Sequence, residues 1–432
     1  MAVTAKKPAE LRGPDHFDVA VVGGGAAGVA AALGAARCGA SVVLVERYGF
    51  LGGAATNASV LAYCGLFKQG SEPERCVAGA ADVVLAELAA LGQMTDAFRS
   101  PSTGNWILPL EPEPLKLALD RVLLRAGVTL RLHSLLIDAD RHGARLNAIR
   151  VADHAGTHTI AATTFIDASG EADLAARAGA GVLTGGLEGH PLQAASMPLR
   201  IGGVQKDAPF DRGLLRAMVS AHNARSPHPI LRDDGGIIIR LPRSDEVWWL
   251  VADISTPGLA SADLTQAECH ARELAWAYVH SLRQHMPGFE NAYLLGTGPQ
   301  LGIRETRHVA TRARVTLADA RDGILRDDGI ALAGWPMENH HAPGNPVYAK
   351  IGGSGVFHVP LDALRADGFD NLWCAGRIIG ADASAFGSIR VMGTAFATGH
   401  AAGVAAALQA ESSAGASAPA VRQTLLTQGA ML

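Results

Sequence analysis

His340 stands in the segment WPMENHH, two residues after Glu338 and next to His341. An imidazole there can give or take a proton near neutral pH, the requirement of a general acid or base. A second reading, loop hydrogen bonding or plain solvation, stays open beside it. Metal binding fits less well: adjacent histidines point apart in an extended chain, and no third ligand stands at a useful spacing. In GIRETR, 302–307, Arg304 and Arg307 flank Glu305. The stretch reads as strand, and alternation then sends Glu305 to the opposite face. Finally, Gly387, Ser388, Ile389 and Arg390 precede a proline-free run of small residues, 391–409, read as a long helix whose N-terminal N–H groups suit developing negative charge.

Something must bring these distant groups to one place, and the first candidate lies near the start of the chain. Residues 17–22 form a short apolar run, as in a buried parallel strand, followed by GGGAAG and then by an alanine-rich helical stretch, 26–38, ended by Gly39. With a second strand at 41–45 this is a βαβ unit, the context in which G-x-G-x-x-G binds a dinucleotide. Gly23 makes the tight turn, Gly25 lets the backbone approach a pyrophosphate, Ala26 and Ala27 open the helix, and Gly28 allows close helix–sheet packing. Glu46, at the end of the second strand, is placed to accept both adenosine ribose hydroxyls and to disfavour a 2'-phosphate.

Further on, EPLKLALDRVLLRA, 113–126, has the apolar stripe of an amphipathic helix, and runs at 128–138, 146–151 and 158–166 read as a meander of strands. The last strand leads into IDASGEAD, with Asp167, Ala168 and Gly170 at the carboxyl edge of the sheet, where ligands bind in such folds. From 185 to 369 the composition shifts toward proline, histidine and tryptophan, with strands at 236–241 and 247–254 and a long helix at 264–285. The division expected is a disordered leader, 1–16, a nucleotide-binding part, 17–184, an inserted α+β substrate domain, 185–369, and a returning part, 370–432.

The 432 residues suffice for two or three domains, at roughly 100 to 200 residues each. With 48% hydrophobic and 18% charged residues the chain is globular, and a net charge of −4 gives no electrostatic reason to expect nucleic acid or an anionic membrane as partner. The leader carries two lysines and no apolar run, so neither a signal peptide nor a membrane span is expected. Five scattered cysteines without a C-x-x-C pair argue against a disulfide framework, a zinc site or an iron–sulfur cluster, and for the reducing cytoplasm.

Four more stretches, LGGAATNA, TTFIDASGEADLAARAGA, GPQLGIRETRHV and DNLWCAGRIIGADASAFGSIRVMGTAFATGHAAG, follow the glycine motif across nearly the whole chain. Together they resemble FAD-dependent oxidoreductases with the glutathione-reductase-type nucleotide fold, distantly similar to the flavoprotein subunits of fumarate reductase and succinate dehydrogenase. The resemblance implies an α/β fold with a Rossmann-like FAD domain, a parallel sheet plus β-meander, and an inserted substrate domain. It implies FAD contacts at Arg47, Gly52, Gly53, Ala54 and Gly376, with Ser388 and Ile389 near the flavin ring. It also implies a substrate-facing Arg390, as anion clamp or proton donor, against the alternative of a salt-bridged cap on the domain. WPMENHH resembles a family segment carrying an acid and a histidine, here Glu338 and His340.

Two departures stand out. Arg377 replaces the glutamate that holds the ribityl chain in the fumarate-reducing enzymes, with Asp382 as the candidate replacement, and no histidine follows Gly52 and Gly53 where those enzymes attach FAD covalently. Non-covalent FAD is therefore expected. The leading expectation is a dehydrogenase or reductase passing a hydride between flavin N5 and a small organic substrate, with His340, Arg390, Arg304 and Glu338 as catalytic candidates. No second glycine motif or redox cysteine pair is present, so reoxidation falls to transient NAD(P)H, oxygen, a quinone or a redox-protein partner. The alternatives are a flavin-dependent monooxygenase and, from another class, a non-catalytic flavin-binding or electron-transfer subunit. The sequence leaves the oligomeric state open.

Overall fold

The first strand, Asp15–Val22, lies at the centre of a seven-stranded sheet in this computed structural model, which describes residues 15–412 and 415–432. On one side it pairs in parallel with Val42–Val45, and that strand with Thr129–Arg131; on the other it pairs in parallel with the long strand Gly156–Asp167. Val19 through Val22 and Val42 through Val45 are all buried, as in strands covered on both faces. Arg145–Asp153 and Leu135–His142 extend the sheet as an antiparallel meander, while Leu372–Cys374 joins the far end of Gly156–Asp167 in parallel. The expected leader, 1–16, falls mostly outside the described residues, but its last two, Asp15 and His16, belong to the first strand and pair with Ile160 and Ala161.

Two helices cross the sheet in close contact, Ala26–Ala36 and Met392–Glu411. Their composition explains the approach. A Cβ on Gly399 would lie 2.1 Å from the Ala27 carbonyl oxygen, and one on Gly403 2.0 Å from that of Ala31, so only glycine allows this separation. The second of these, Met392–Glu411, followed only by the short C-terminal helix Ala418–Thr427, is apolar nearly all round because it is buried nearly all round. Among the described residues no single helix is long and apolar enough to cross a membrane.

The inserted unit is a four-stranded antiparallel sheet in the order Ile237–Arg240, Val247–Ile254, Ala195–Gly202, Tyr293–Thr297. Helices Arg212–Asn223 and Ser261–His285 cover one face and form a separate core with it, from Met197 to Leu301. Two adjacent tryptophans record the two-residue period of the sheet. Trp249 joins this second core, whereas Trp248 faces the nucleotide-binding part and donates its indole N–H to the Ser59 carbonyl, 2.7 Å away.

The second core stops at Leu301, short of the expected limit at residue 369. Val182–Thr184 and Arg307–Val309 pair antiparallel and form the neck through which the chain leaves and returns. Beyond the neck, Gly329–Ala333 and Phe357–Pro360 pair with each other, and residues from Val309 to Phe369 pack into the first core, with Gly329–Ala333 against helix Met392–Glu411. Composition marked this segment as foreign to the nucleotide-binding part; its buried apolar residues belong there.

Candidate active site

The strand, turn and helix at 15–36 open onto a cleft of about 1100 Å³. Gly23, Gly25, Ala26 and Ala27 line it, and Gly25 is the helix N-cap without a side-chain cap, which leaves first-turn N–H groups free of side-chain partners. Gly53 faces Gly25 across the floor. A Cβ on Gly53 would fall 2.7 Å from the Gly25 Cα, while one on Gly25 would meet nothing closer than 3.6 Å, so the floor is bare backbone. Gly28 lies beneath: a Cβ there would sit 1.8 Å from the Gly23 carbonyl oxygen. Gly52 also lies behind the wall, with Thr56 filling the space a side chain would need.

Glu46 is buried in the cleft wall, with one carboxylate oxygen taking the Gly24 N–H at 2.6 Å and the other the Tyr48 N–H at 3.0 Å. Burial pushes its pKa up, and these two N–H groups work against that shift. Arg47, Ala54, Ala168, Gly170 and Gly376 also line the cleft. Three lining residues carry a buried polar atom with no partner among the described residues: Asn57 Oδ1, Arg377 Nε and Arg390 Nε. Natural interiors rarely leave such atoms unsatisfied, so the cleft is built to receive a polar ligand.

Four sequence candidates lie elsewhere. Asp167 is fully buried behind the wall, where it accepts from Ser169 N–H, Ser169 Oγ and Ala175 N–H and so holds the turn that presents Ala168 and Gly170. Asp382 caps the short helix Ala383–Ile389 through the Ala385 N–H and also accepts from Leu317, so it does not take over the ribityl position. Ser388 donates to the Trp335 carbonyl and Ile389 is fully buried; neither lines the cleft. The long helix expected over 391–409 is there as Met392–Glu411, but the residues before it, 383–389, form a short helix of their own, set at 88° to it, that carries Ser388 and Ile389 away from the cleft. The second helix, through Met392 and Ala395 in its first turn, is the one that reaches the cleft.

A second cavity of about 970 Å³ adjoins the cleft and shares Ala54, Gly302, Ile303, Arg377, Arg390 and Met392 with it. Its walls are mainly apolar, including Val60, Ile107, Ile237, Trp248 and Leu250, and its polar end holds Arg304, Glu338, His340, Tyr348 and Arg390. All four catalytic candidates thus meet in one chamber. His340 Nε2 lies 2.8 Å from Glu338 Oε1; the same oxygen takes the Tyr348 hydroxyl at 2.8 Å, and Oε2 takes the Trp335 indole N–H at 2.7 Å. Arg390 donates to the Glu338 carbonyl at 2.8 Å. Burial would raise the Glu338 pKa, but the hydrogen bond from His340, the charge of Arg390 and the Trp335 indole N–H outweigh it and hold the carboxyl below its usual range.

A carboxylate only accepts, so His340 donates from Nε2 and keeps a lone pair on Nδ1, which has no partner among the described residues. Burial first, then the positive charge of Arg304, pushes the His340 pKa down to about 4, so the ring is neutral at pH 7. Arg304 hydrogen-bonds the Ala194 carbonyl and lies 3.5 Å from Asp253. The strand expected through GIRETR begins only at Arg307, and Glu305 pairs with His308 at 2.9 Å outside the chamber. Arg377 pairs with Glu171, which explains how an arginine is accommodated beside the cleft. Sequence reasoning missed Tyr48, Asn57, Glu171 and Gln300 in the cleft and Trp248 and Tyr348 in the chamber. Only Trp248 had a signal, the alternation of its strand.

The family model for FAD dependent oxidoreductases matches residues 18–423. This chain belongs to that family. FAD is therefore the cofactor of this FAD-dependent oxidoreductase, and the protein is an enzyme. No curated protein sequence matches it significantly. Among solved structures, GidA from Aquifex aeolicus is 14% identical with a TM-score of 0.50, over 92% of this chain and 64% of that one. A geranylgeranyl bacteriochlorophyll reductase-like protein from Thermoplasma acidophilum is 14% identical with a TM-score of 0.48, over 97% and 85%. For p-nitrophenol 4-monooxygenase PnpA from Pseudomonas putida DLL-E4 the identity is 12% and the TM-score 0.48, over 96% and 85%. At such identities the likeness to GidA is one of fold.

Proposed function

We propose that this oxidoreductase is a dehydrogenase or reductase acting on a small organic molecule bound in the chamber. The observation that carries the reading is the shared wall: a cleft suited to a dinucleotide and a mainly apolar chamber with a carboxylate–imidazole pair have six residues in common. FAD supplies a two-electron carrier that exchanges a hydride at N5. Gly23, Gly25, Ala26 and Ala27 would hold its pyrophosphate, Glu46 its adenosine ribose, and Ala168, Gly170 and Gly376 the middle of the molecule. In the oxidising direction the neutral His340 takes the proton released by a substrate hydroxyl or amine, and Glu338 fixes the tautomer that leaves Nδ1 as the accepting atom. Arg304 and Arg390 hold the oxygen on which negative charge builds. The apolar walls exclude water and fix the substrate's carbon frame.

FAD is held without a covalent bond, since no histidine follows Gly53. The five cysteines are unpaired, in keeping with a reducing compartment such as the cytoplasm. The test is an anaerobic screen of small alcohols, amines and hydroxy acids for bleaching of the bound flavin. Bleaching by substrate alone supports the proposal. Flavin that stays oxidised until NAD(P)H is added, followed by oxygen-dependent hydroxylation, would replace it with a monooxygenase.

A further inference from the structure

The dinucleotide cleft is bounded on one side by 46–58, from the nucleotide-binding part, and on another by 300–303, where the chain comes back from the inserted unit. The two sides touch. Tyr48, two residues beyond the ribose-binding Glu46, reaches across with its hydroxyl to hydrogen-bond the side-chain carbonyl of Gln300. Gln300 in turn donates its backbone N–H to the Asn57 carbonyl at 3.0 Å. Beside it, a Cβ on Gly298 would fall 2.6 Å from the backbone of Ala58, so the returning segment is pressed against the nucleotide-binding part. Tyr48, Gln300 and Asn57 all line the cleft, and the Tyr48–Gln300 contact joins its two sides there.

Tyr48 is well placed for this. Its N–H holds Glu46 Oε1, its ring lies under the Arg47 guanidinium at 4.9 Å, and it stacks on Phe50 at 6.0 Å. The ring is thus fixed by contacts on its own side of the cleft, and the hydroxyl alone ties it to the inserted unit. We propose that the Tyr48–Gln300 contact is a clasp over the FAD cleft, and that its opening is the step that lets FAD leave. The clasp couples cofactor retention to the seating of the inserted unit. FAD exchange then depends on a residue from the substrate-binding half as much as on the glycine motif.

The inference rests on FAD being held without a covalent bond. Holoprotein diluted into buffer releases FAD, whose fluorescence reports the rate, and the variants are Tyr48→Phe, Gln300→Ala and the pair together. Tyr48→Phe keeps the ring and both its stacking contacts and removes only the hydroxyl. Each single variant should release FAD about 2- to 12-fold faster, the range that one hydrogen bond of ordinary net strength gives, and the double variant no faster than the quicker single. Release at the wild-type rate in Tyr48→Phe overturns the clasp, as does a double variant whose effect is the product of the two singles. Flavin that stays with acid-precipitated protein overturns both the clasp and the non-covalent reading. Flavin that extracts freely while release rates stay unchanged overturns the clasp alone.

Discussion

The cleft and the chamber share six residues but are made in different ways. The cleft is backbone at its floor: Gly23, Gly25, Gly53, Gly170 and Gly376 line it, and the buried acid Glu46 is held by two main-chain N–H groups. The chamber is side chain: its polar end is a knot of Arg304, Glu338, His340, Tyr348 and Arg390, closed by an indole from Trp335 and walled by Trp248 from the inserted unit. A site made of backbone depends on the course of the chain and not on which side chains surround it, so it keeps the same cofactor while its surroundings change. A site made of side chains from distant segments can change its substrate one residue at a time, since each wall residue comes from a different element.

That contrast can be broken first at the floor of the cleft. Gly25→Val adds a side chain where the fold has room, with the nearest atom 3.6 Å from the Cβ, but the room belongs to the cofactor. FAD affinity should fall at least about 100-fold while far-ultraviolet circular dichroism stays that of wild type, as titration of the purified apoprotein with FAD would read. A variant that binds FAD normally would show that the cleft holds its ligand elsewhere. Glu46→Ala removes one carboxylate and not the cradle, so its cost is smaller, about 10- to 100-fold in affinity, typical of hydrogen bonds to a charged group. Wild-type affinity in this variant would detach the ribose from Glu46.

The chamber side is sharpened by acid. His340 and His400 are both buried with pKa values pushed down to about 4, mainly by burial, from an ordinary 6.5. Both folded values lie below the unfolded one, so the unfolded chain binds more protons as pH falls from about 6.5 toward 4, and stability falls with it. At pH 5 each histidine should cost about 1 to 2 kcal/mol relative to pH 7. His400 sits between the two packed helices and bonds Gln428 Oε1 at 2.7 Å, far from the chamber, so His400→Gln should flatten the acid slope of thermal unfolding and leave turnover intact. An unchanged slope would mean that His400 titrates alike in the folded and unfolded chain.

The same contrast explains what could be read from the sequence. GGGAAG between a strand and a helix, with Glu46 at the next strand end, located the cleft because each role follows from local backbone chemistry. His340, Glu338, Arg304 and Arg390 were legible as residue types capable of proton transfer and anion binding, and the fold brings all four into the chamber. Asp382, Ser388 and Ile389 were assigned to the cofactor by resemblance and by their place before the long helix, and the short helix 383–389, set at 88° to helix 392–411, turns them away from the cleft. The expected limit at residue 369 runs past the second core because strand 329–333 looks like those of the insertion, while the helix it packs against, 392–411, begins about sixty residues further on in sequence. Tyr348 had no signal, since only tertiary pairing of Val347–Ala349 with Met337–Asn339 sets it against Glu338.

The most direct measurement compares His340→Ala with wild type in two readings on the same sample: FAD affinity, and the rate at which substrate bleaches the flavin without oxygen. If the cleft binds and the chamber reacts, affinity stays within about 2-fold of wild type, while bleaching slows about 100- to 10,000-fold, the usual share of a positioned proton acceptor. Bleaching at the wild-type rate, or a loss of FAD in step with the loss of rate, would contradict this division of labour.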